Sequence, residues 1–152
     1  MNRLRSPQAI TPYILIIEDH KDFREALQHF LELNQIRAHI IEASSGEEGI
    51  LLARKKKPQI VVIDFAMGGI NGLDAARQIK KFLPQCKIIM LSAYDPKEIF
   101  RRDGHGLIHF FISKSDLYKQ LVPVINRILN DSNIVKKEII KHRSKTLSKI
   151  LT

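Results

Sequence analysis

Cysteine is almost absent from this chain of 152 residues: Cys86 stands alone, which leaves no intrachain disulfide framework. Its place beside the apolar run Lys87–Leu91 reads as a buried, inert thiol in a reducing compartment rather than a nucleophile. No apolar run approaches the roughly 18 residues of a membrane span, and residues 1–12 lack the apolar stretch of a secretory signal, so a cytoplasmic chain is expected. No G-x-x-x-x-G-K-[ST] phosphate loop occurs. The six histidines (His20, His29, His39, His105, His109 and His142) show no metal-ligand spacing and read as solvated imidazoles, with His20 and His105 near the functional edge described below. Internal repeats and low-complexity segments are also missing, and the length fits one domain.

Charge is present but unevenly placed. Residues 14–129 hold 17 Lys/Arg against 14 Asp/Glu, whereas residues 130–152 hold 6 against 2, so much of the net +9 sits at the ends. A solvated helix face is the commoner reason for such a basic end, with nucleic acid or an acidic partner as the alternative.

Strand and helix patterns alternate along the chain. Residues 1–12, with Ser6-Pro7 and Thr11-Pro12, read as a flexible leader. Strands are expected at Tyr13–Ile17, Ala38–Ile41, Ile60–Asp64, Lys87–Leu91 and His109–Ile112. Between them, a first helix capped by Asp22 runs to about Asn34, and a second follows the cap Ser44-Ser45-Gly46-Glu47-Glu48 and closes at Arg54–Lys57. Helices at Leu73–Leu83, Pro96–Asp103 and Leu117–Leu129 complete an α/β pattern. Right-handed βαβ crossovers then imply a five-stranded, doubly wound, flavodoxin-like parallel sheet in the order 2-1-3-4-5, spanning residues 13–130. In residues 131–152, Val135, Ile139, Leu147 and Ile150 form an approximate apolar stripe among lysines, a basic amphipathic C-terminal helix or linker stub.

The strand Ile60–Asp64 ends in a carboxylate, and ligands of open parallel sheets bind beyond the carboxyl ends of the strands. The other strand ends bring Glu18, Asp19, Ser92 and Lys114 to the same edge. Two carboxylates about 4 Å apart repel by about 4 kcal/mol at an effective dielectric of 20, so a cluster of three calls for a cation. Oxygen donors without cysteine point to Mg²⁺, with Asp19 and Asp64 as direct ligands, Glu18 acting through water and the backbone carbonyl of Ala66 as a further donor. Such a cluster suits phosphoryl transfer to a carboxylate, with Ser92 and Lys114 placed to contact the phosphoryl oxygens.

Glu18-Asp19, Asp64-x-x-Met67, Gly72, Ser92-Ala93 and Lys114, in this order and on these strand ends, resemble the receiver domain of two-component response regulators over about residues 13–129. The resemblance implies Asp64 as phospho-acceptor, Glu18 and Asp19 as metal acids, Ser92 as switch hydroxyl, Lys114 as the phosphate-contacting lysine and Phe111 as switch aromatic. It further implies a sensor histidine kinase or phosphotransfer protein as donor, self-catalysed transfer without turnover of an external metabolite, and therefore no enzyme in the usual sense. Four positions depart from the family pattern. Gly68 and Ser115 stand where proline is usual, and Ala66, which cannot orient a water, together with Tyr94 implies slow self-dephosphorylation. An aspartyl phosphatase of the haloacid-dehalogenase type would carry a carboxylate where Ala66 stands. Two alternatives stay open: a degenerate receiver serving as a phosphorylation-independent binding module, and the receiver part of a DNA-binding transcriptional regulator. Ile99 and Phe100, apolar in a helix crowded with charge, are the candidate face for a homodimer or downstream protein.

Overall fold

The computed structural model describes residues 10–103 and 106–132. Its elements are β1 (Tyr13–Ile17), α1 (Lys21–Leu33), β2 (His39–Ala43), α2 (Gly46–Lys56), β3 (Ile60–Asp64), α3 (Gly72–Phe82), β4 (Lys87–Ser92), α4 (Pro96–Asp103) and β5 (Phe110–Ser113). A 3-10 turn at Lys114–Asp116 leads into a last helix, α5, over 117–132. All strand pairs are parallel and the order is β2-β1-β3-β4-β5, the flavodoxin-like winding expected from the alternating pattern. Among the described residues no helix is long and apolar enough to cross a membrane.

The unbroken apolar strands exist because the sheet is covered on both sides. Successive side chains alternate between two cores. Leu15, Ile17, Val61, Ile63, Ile88 and Met90 pack with Ala53, Ala75, Ala76 and Ile79 of α2 and α3. Ile14, Ile16, Ile60, Val62, Ile89 and Leu91 pack instead with Leu27 and Leu31 of α1 and with Leu121, Ile125 and Ile128 of α5. Each fully buried Ile or Leu contributes about 1.5–3 kcal/mol of transfer free energy, so a one-residue register slip would cost many such terms at once.

That register sets the functional edge. Ile17 pairs with Ile63, which places Glu18 level with Asp64. Asp64 pairs with Leu91, so Ser92 lies one residue, about 3.3 Å, beyond it. Ser92 pairs with Ser113, and Lys114 comes next. Glu18, Asp64 and Lys114 share strand parity with Ile16, Val62 and Ile112, whereas Ser92 and Phe111 share the opposite parity.

Besides changes at the ends of α3, β4 and α5, four expectations shift. The first helix begins at Lys21 with His20 at the N-cap, not Asp22, because the His20 carbonyl accepts the first helical bond from the Arg24 N–H at 2.9 Å. Asp22 falls in the first turn, where a carboxylate favours the helix dipole. The second strand is His39–Ala43, moved along to match all five residues of β1. The fifth is Phe110–Ser113, and His109 already bonds to β4, donating its N–H to the Ile88 carbonyl at 3.0 Å. Ile99 is not an exposed docking residue: only 2 % of it is accessible, because it turns inward from α4. The Phe100 side chain, residues 1–9 of the leader and all of the basic segment beyond 132 lie outside the described residues.

Candidate functional site at the carboxyl edge of the sheet

Glu18, Asp64 and Ser92 are the buried polar residues of the described chain, at 1 %, 3 % and 3 % exposure. Carboxylates so far from water need compensation. Asp64 has it from two sides: Lys114 Nζ stands 2.8 Å from Oδ2, and the Ala66 N–H donates to Oδ1 at 3.2 Å. The Lys114 ammonium also lies 4.7 Å from the centroid of the Phe23 ring, a cation–π contact that holds the stem over α1.

Glu18 is less well served. Its Oε1 accepts the His20 N–H at 3.1 Å, while Oε2 is buried without a hydrogen-bond partner, Lys114 Nζ being 3.8 Å away. Burial first, and then the neighbouring Asp64 carboxyl, push Glu18 up to about 8, against the opposing pull of the His20 N–H and Lys114. A buried acceptor left unsatisfied costs about 1–3 kcal/mol. A hard divalent cation on an all-oxygen donor set is what such an oxygen lacks, so the residues present fit Mg²⁺.

Asp19 is exposed and ionised. The Gly68 N–H, donating to its Oδ2 at 3.1 Å, is the main reason its carboxyl lies below the usual range. This bond ties the β1–α1 and β3–α3 loops across the site and exists because Gly68 is not proline. Gly69, at φ 76°, turns the β3–α3 loop so that the Ile70 N–H reaches Glu47 Oε1 at 3.1 Å. Gly72 is required by contact: a Cβ there would stand 2.1 Å from the Asp64 carbonyl oxygen.

Ser92 Oγ accepts the Tyr94 N–H at 2.9 Å, which fixes the oxygen and leaves its own proton free to be donated. Ala66 and Tyr94 line one open pocket of about 310 Å³ with Phe65, Glu98 and Ile99. Phe111, half-buried, packs on the core shared by α2 and α3, next to Met90 in register. The peptide between Lys114 and Ser115 is trans, and Ser115 Oγ pairs with Ser113 Oγ at 2.8 Å.

The structure thus brings Glu18, Asp19, Asp64, Ala66, Ser92 and Lys114 to one edge. Two further residues belong there. Arg24 donates to the Glu18 carbonyl at 2.7 Å and faces Glu42 at 3.7 Å, so it pins the backbone of the buried acid. His20 offers a ligand atom that, with one each from Glu18 and Asp19, forms a group all within 4.8 Å. His20 is the histidine expected near this edge, and Arg24 becomes visible once the helix starts at Lys21, since it then lies one turn along.

A family profile described as the response regulator receiver domain matches residues 14–126. The response regulator protein VraR of Staphylococcus aureus is 27% identical over 132 residues, covering 86% of this chain and 63% of that protein. The chain therefore spans 63% of the length of the curated relatives it matches. Among solved structures, the Thermotoga maritima response regulator protein TrrA, in complex with Mg²⁺ and BeF, is 29% identical at a TM-score of 0.66, covering 77% of this chain and 98% of that one. A LuxR-family two-component response regulator from an Aurantimonas species is 25% identical at a TM-score of 0.72, covering 88% and 98%. With the acidic pair, the buried aspartate, the hydroxyl and the lysine all converging at one sheet edge, and with that profile matched across the sheet, the chain belongs to the response regulator receiver domain family.

Proposed function

We propose that this receiver accepts a phosphoryl group on Asp64 from a phosphohistidine of a sensor histidine kinase or phosphotransfer protein in the cytoplasm. The observation that carries it is the convergence of Lys114 and the unpartnered Glu18 Oε2 on the buried Asp64 carboxylate. In the transfer, an Asp64 oxygen forms a bond to phosphorus as the donor's P–N bond breaks, and the imidazole leaves with the electron pair. Glu18, Asp19, Asp64 and the Ala66 carbonyl are the groups that would hold Mg²⁺, which when bound offsets charge on the phosphoryl oxygens.

The chain's own residues do the rest. Lys114 exchanges Asp64 Oδ2 for a phosphoryl oxygen, and Ser92 turns its free O–H to another. Ser92 and Phe111 share one face of the sheet, so a shift of the β4–α4 loop towards the phosphoryl group vacates space that Phe111 fills. The self-catalysed reaction has no external substrate turnover. Ala66 orients no water and Tyr94 stands at the mouth of the pocket, so the aspartyl phosphate is expected to be long-lived; a half-life of seconds would contradict this.

Intact-mass measurement after incubation with Mg²⁺ and acetyl phosphate tests the assignment. A Mg²⁺-dependent phosphoryl adduct that is lost in Asp64→Asn supports it. Absence of both adduct and Mg²⁺ binding leaves a phosphorylation-independent binding module. The greater length of the curated relatives favours a second reading of the output, in which this receiver is the input part of a transcriptional regulator. Phosphorylation-dependent, salt-sensitive binding of the whole protein to duplex DNA would support it.

A further inference from the structure

We infer that His20 is a nitrogen ligand of the acidic seat formed by Glu18 and Asp19, so that this edge takes a late first-row divalent cation of the Zn²⁺ class as well as Mg²⁺. The inference rests on the proposed reading of the edge as a cation site.

One ligand atom each from Glu18, Asp19 and His20 lie within 4.8 Å of one another. Donors about 2.0–2.2 Å from a shared ion stand about 3–4.4 Å apart, so small side-chain rotations close the shell. Asp19 and His20 are exposed, and Asp19, held through Oδ2 by the Gly68 N–H at 3.1 Å, gives the imidazole a fixed partner to turn towards. The His20 N–H is given to Glu18 Oε1 at 3.1 Å, and its carbonyl accepts from Arg24 at 2.9 Å, which leaves only the imidazole to rotate. An independent observation points to the ligand: Glu18 Oε2, buried and without a hydrogen-bond partner, belongs to the same group of residues.

The chemistry follows from the mixed donor set. Carboxylate oxygens suit Mg²⁺, and an added imidazole raises affinity along the first-row series towards Zn²⁺. Because both ions use Glu18 and Asp19, they compete. Asp64 keeps Lys114 when the seat of Glu18, Asp19 and His20 is filled, so Zn²⁺ holds the acceptor in its unmodified arrangement and opposes Mg²⁺-dependent phosphorylation.

The experiment is calorimetric titration of the full chain at pH 7.5 with ZnCl₂ and, separately, MgCl₂, for the parent, His20→Ala, His20→Asn and Asp19→Asn. Zn²⁺ affinity is expected to fall about tenfold or more in both His20 variants while Mg²⁺ affinity stays within about threefold, and both fall in Asp19→Asn. The His20 side chain makes no capping bond, and Asn is a residue favoured at a helix N-cap, so loss shared by the Ala and Asn variants is loss of the imidazole and not of the helix start. In proton NMR the His20 imidazole signals of the parent shift on addition of Zn²⁺ and not of Mg²⁺. Unchanged Zn²⁺ affinity in the His20 variants, or Zn²⁺ binding indifferent to Asp19→Asn, overturns the inference. Failure of the underlying reading looks different: the parent then binds no Mg²⁺ and gains no phosphoryl mass.

Discussion

Lys114 Nζ stands 2.8 Å from Asp64 Oδ2 and 3.8 Å from Glu18 Oε2, so a single ammonium serves two buried carboxyls at the head of β1 and β3. It bonds to one and only approaches the other. The unmodified site is therefore a strained compromise of charge, in which Lys114 stands in for the cation that the acids would otherwise share, and any group that brings positive charge or new acceptors to the edge frees it to move.

Replacing Lys114 with Met leaves Asp64 with the Ala66 N–H alone. Breaking a buried pair costs about 3–5 kcal/mol, and the partial exposure of Lys114 lowers the expected loss to about 1–3 kcal/mol. Urea denaturation without metal should show that loss, and saturating Mg²⁺ should recover part of it. Phosphorylation by acetyl phosphate should slow by about tenfold or more, since the lysine also meets developing phosphoryl charge. An unchanged urea midpoint would mean that the pair contributes nothing to the unmodified fold.

Glu18 makes stability depend on pH in a direction opposite to that of ordinary surface carboxylates. Its folded value of about 8 lies above the ordinary 4.5. Below about pH 4.5 both states hold the proton and nothing is lost. Between that value and about 8 the unfolded chain ionises while the folded one resists, so stability falls as pH rises. Gln does not titrate. Glu18→Gln should therefore gain on the parent when metal-free unfolding is compared at pH 7.5 and pH 5, and added Mg²⁺ should shrink the gain by stabilising the ionised parent. A variant equally displaced at both pH values would show that Glu18 is ionised in the fold.

Much of this edge is legible in the amino-acid sequence. The runs Ile14–Ile17, Ile60–Ile63 and Ile88–Leu91 are apolar throughout, which only a sheet covered on both faces explains, and parallel winding then puts Glu18, Asp64, Ser92 and Lys114 at one end. What local pattern could not resolve was register and cap choice. His39–Ala43 alternates weakly because its strand lies at the edge, half-buried, so its bounds come from pairing with β1. Asp22 is a good capping residue by type, but the helix starts earlier because the His20 carbonyl is already engaged, and that displaced Arg24 from view. Ile99 looked exposed amid charges; it is buried because it turns inward from α4, which packs against β5.

The β3–α3 loop separates two kinds of glycine. Gly72→Ala drives a methyl against the Asp64 carbonyl, at 2.1 Å before relaxation, and should cost about 1–3 kcal/mol and slow phosphorylation by shifting the acceptor's backbone. Gly68→Ala meets nothing nearer than Asp19 Oδ2 at 3.9 Å and should be close to neutral. Gly68→Pro, which restores the family's usual residue, removes the N–H given to Asp19. It should cost about 1 kcal/mol and raise the Asp19 carboxyl towards its ordinary value, readable by NMR titration. Equal behaviour of the Ala and Pro variants would show that the N–H bond is unimportant.

Cys86 supplies a test of the core that is independent of phosphorylation. It is 3 % exposed at the entry to β4, and burial pushes its thiol up to about 12, the charges of Lys80 and Lys87 opposing. Lys80 Nζ donates to the Cys86 carbonyl at 3.0 Å and to the Pro84 carbonyl at 2.6 Å, clamping the turn that carries the thiol. Against an ordinary value of 9.0, the folded thiol at pH 8 should present roughly a thousandfold less thiolate than the unfolded chain. Labelling with a disulfide reagent at pH 8 should then be slow in buffer and prompt in urea, and its rate in buffer should report opening of the β4 entry rather than thiol chemistry. Lys80→Met, which loosens the clamp, should speed labelling without changing its rate in urea. Prompt labelling of the native parent would place Cys86 at the surface and remove β4 from the buried centre of the sheet.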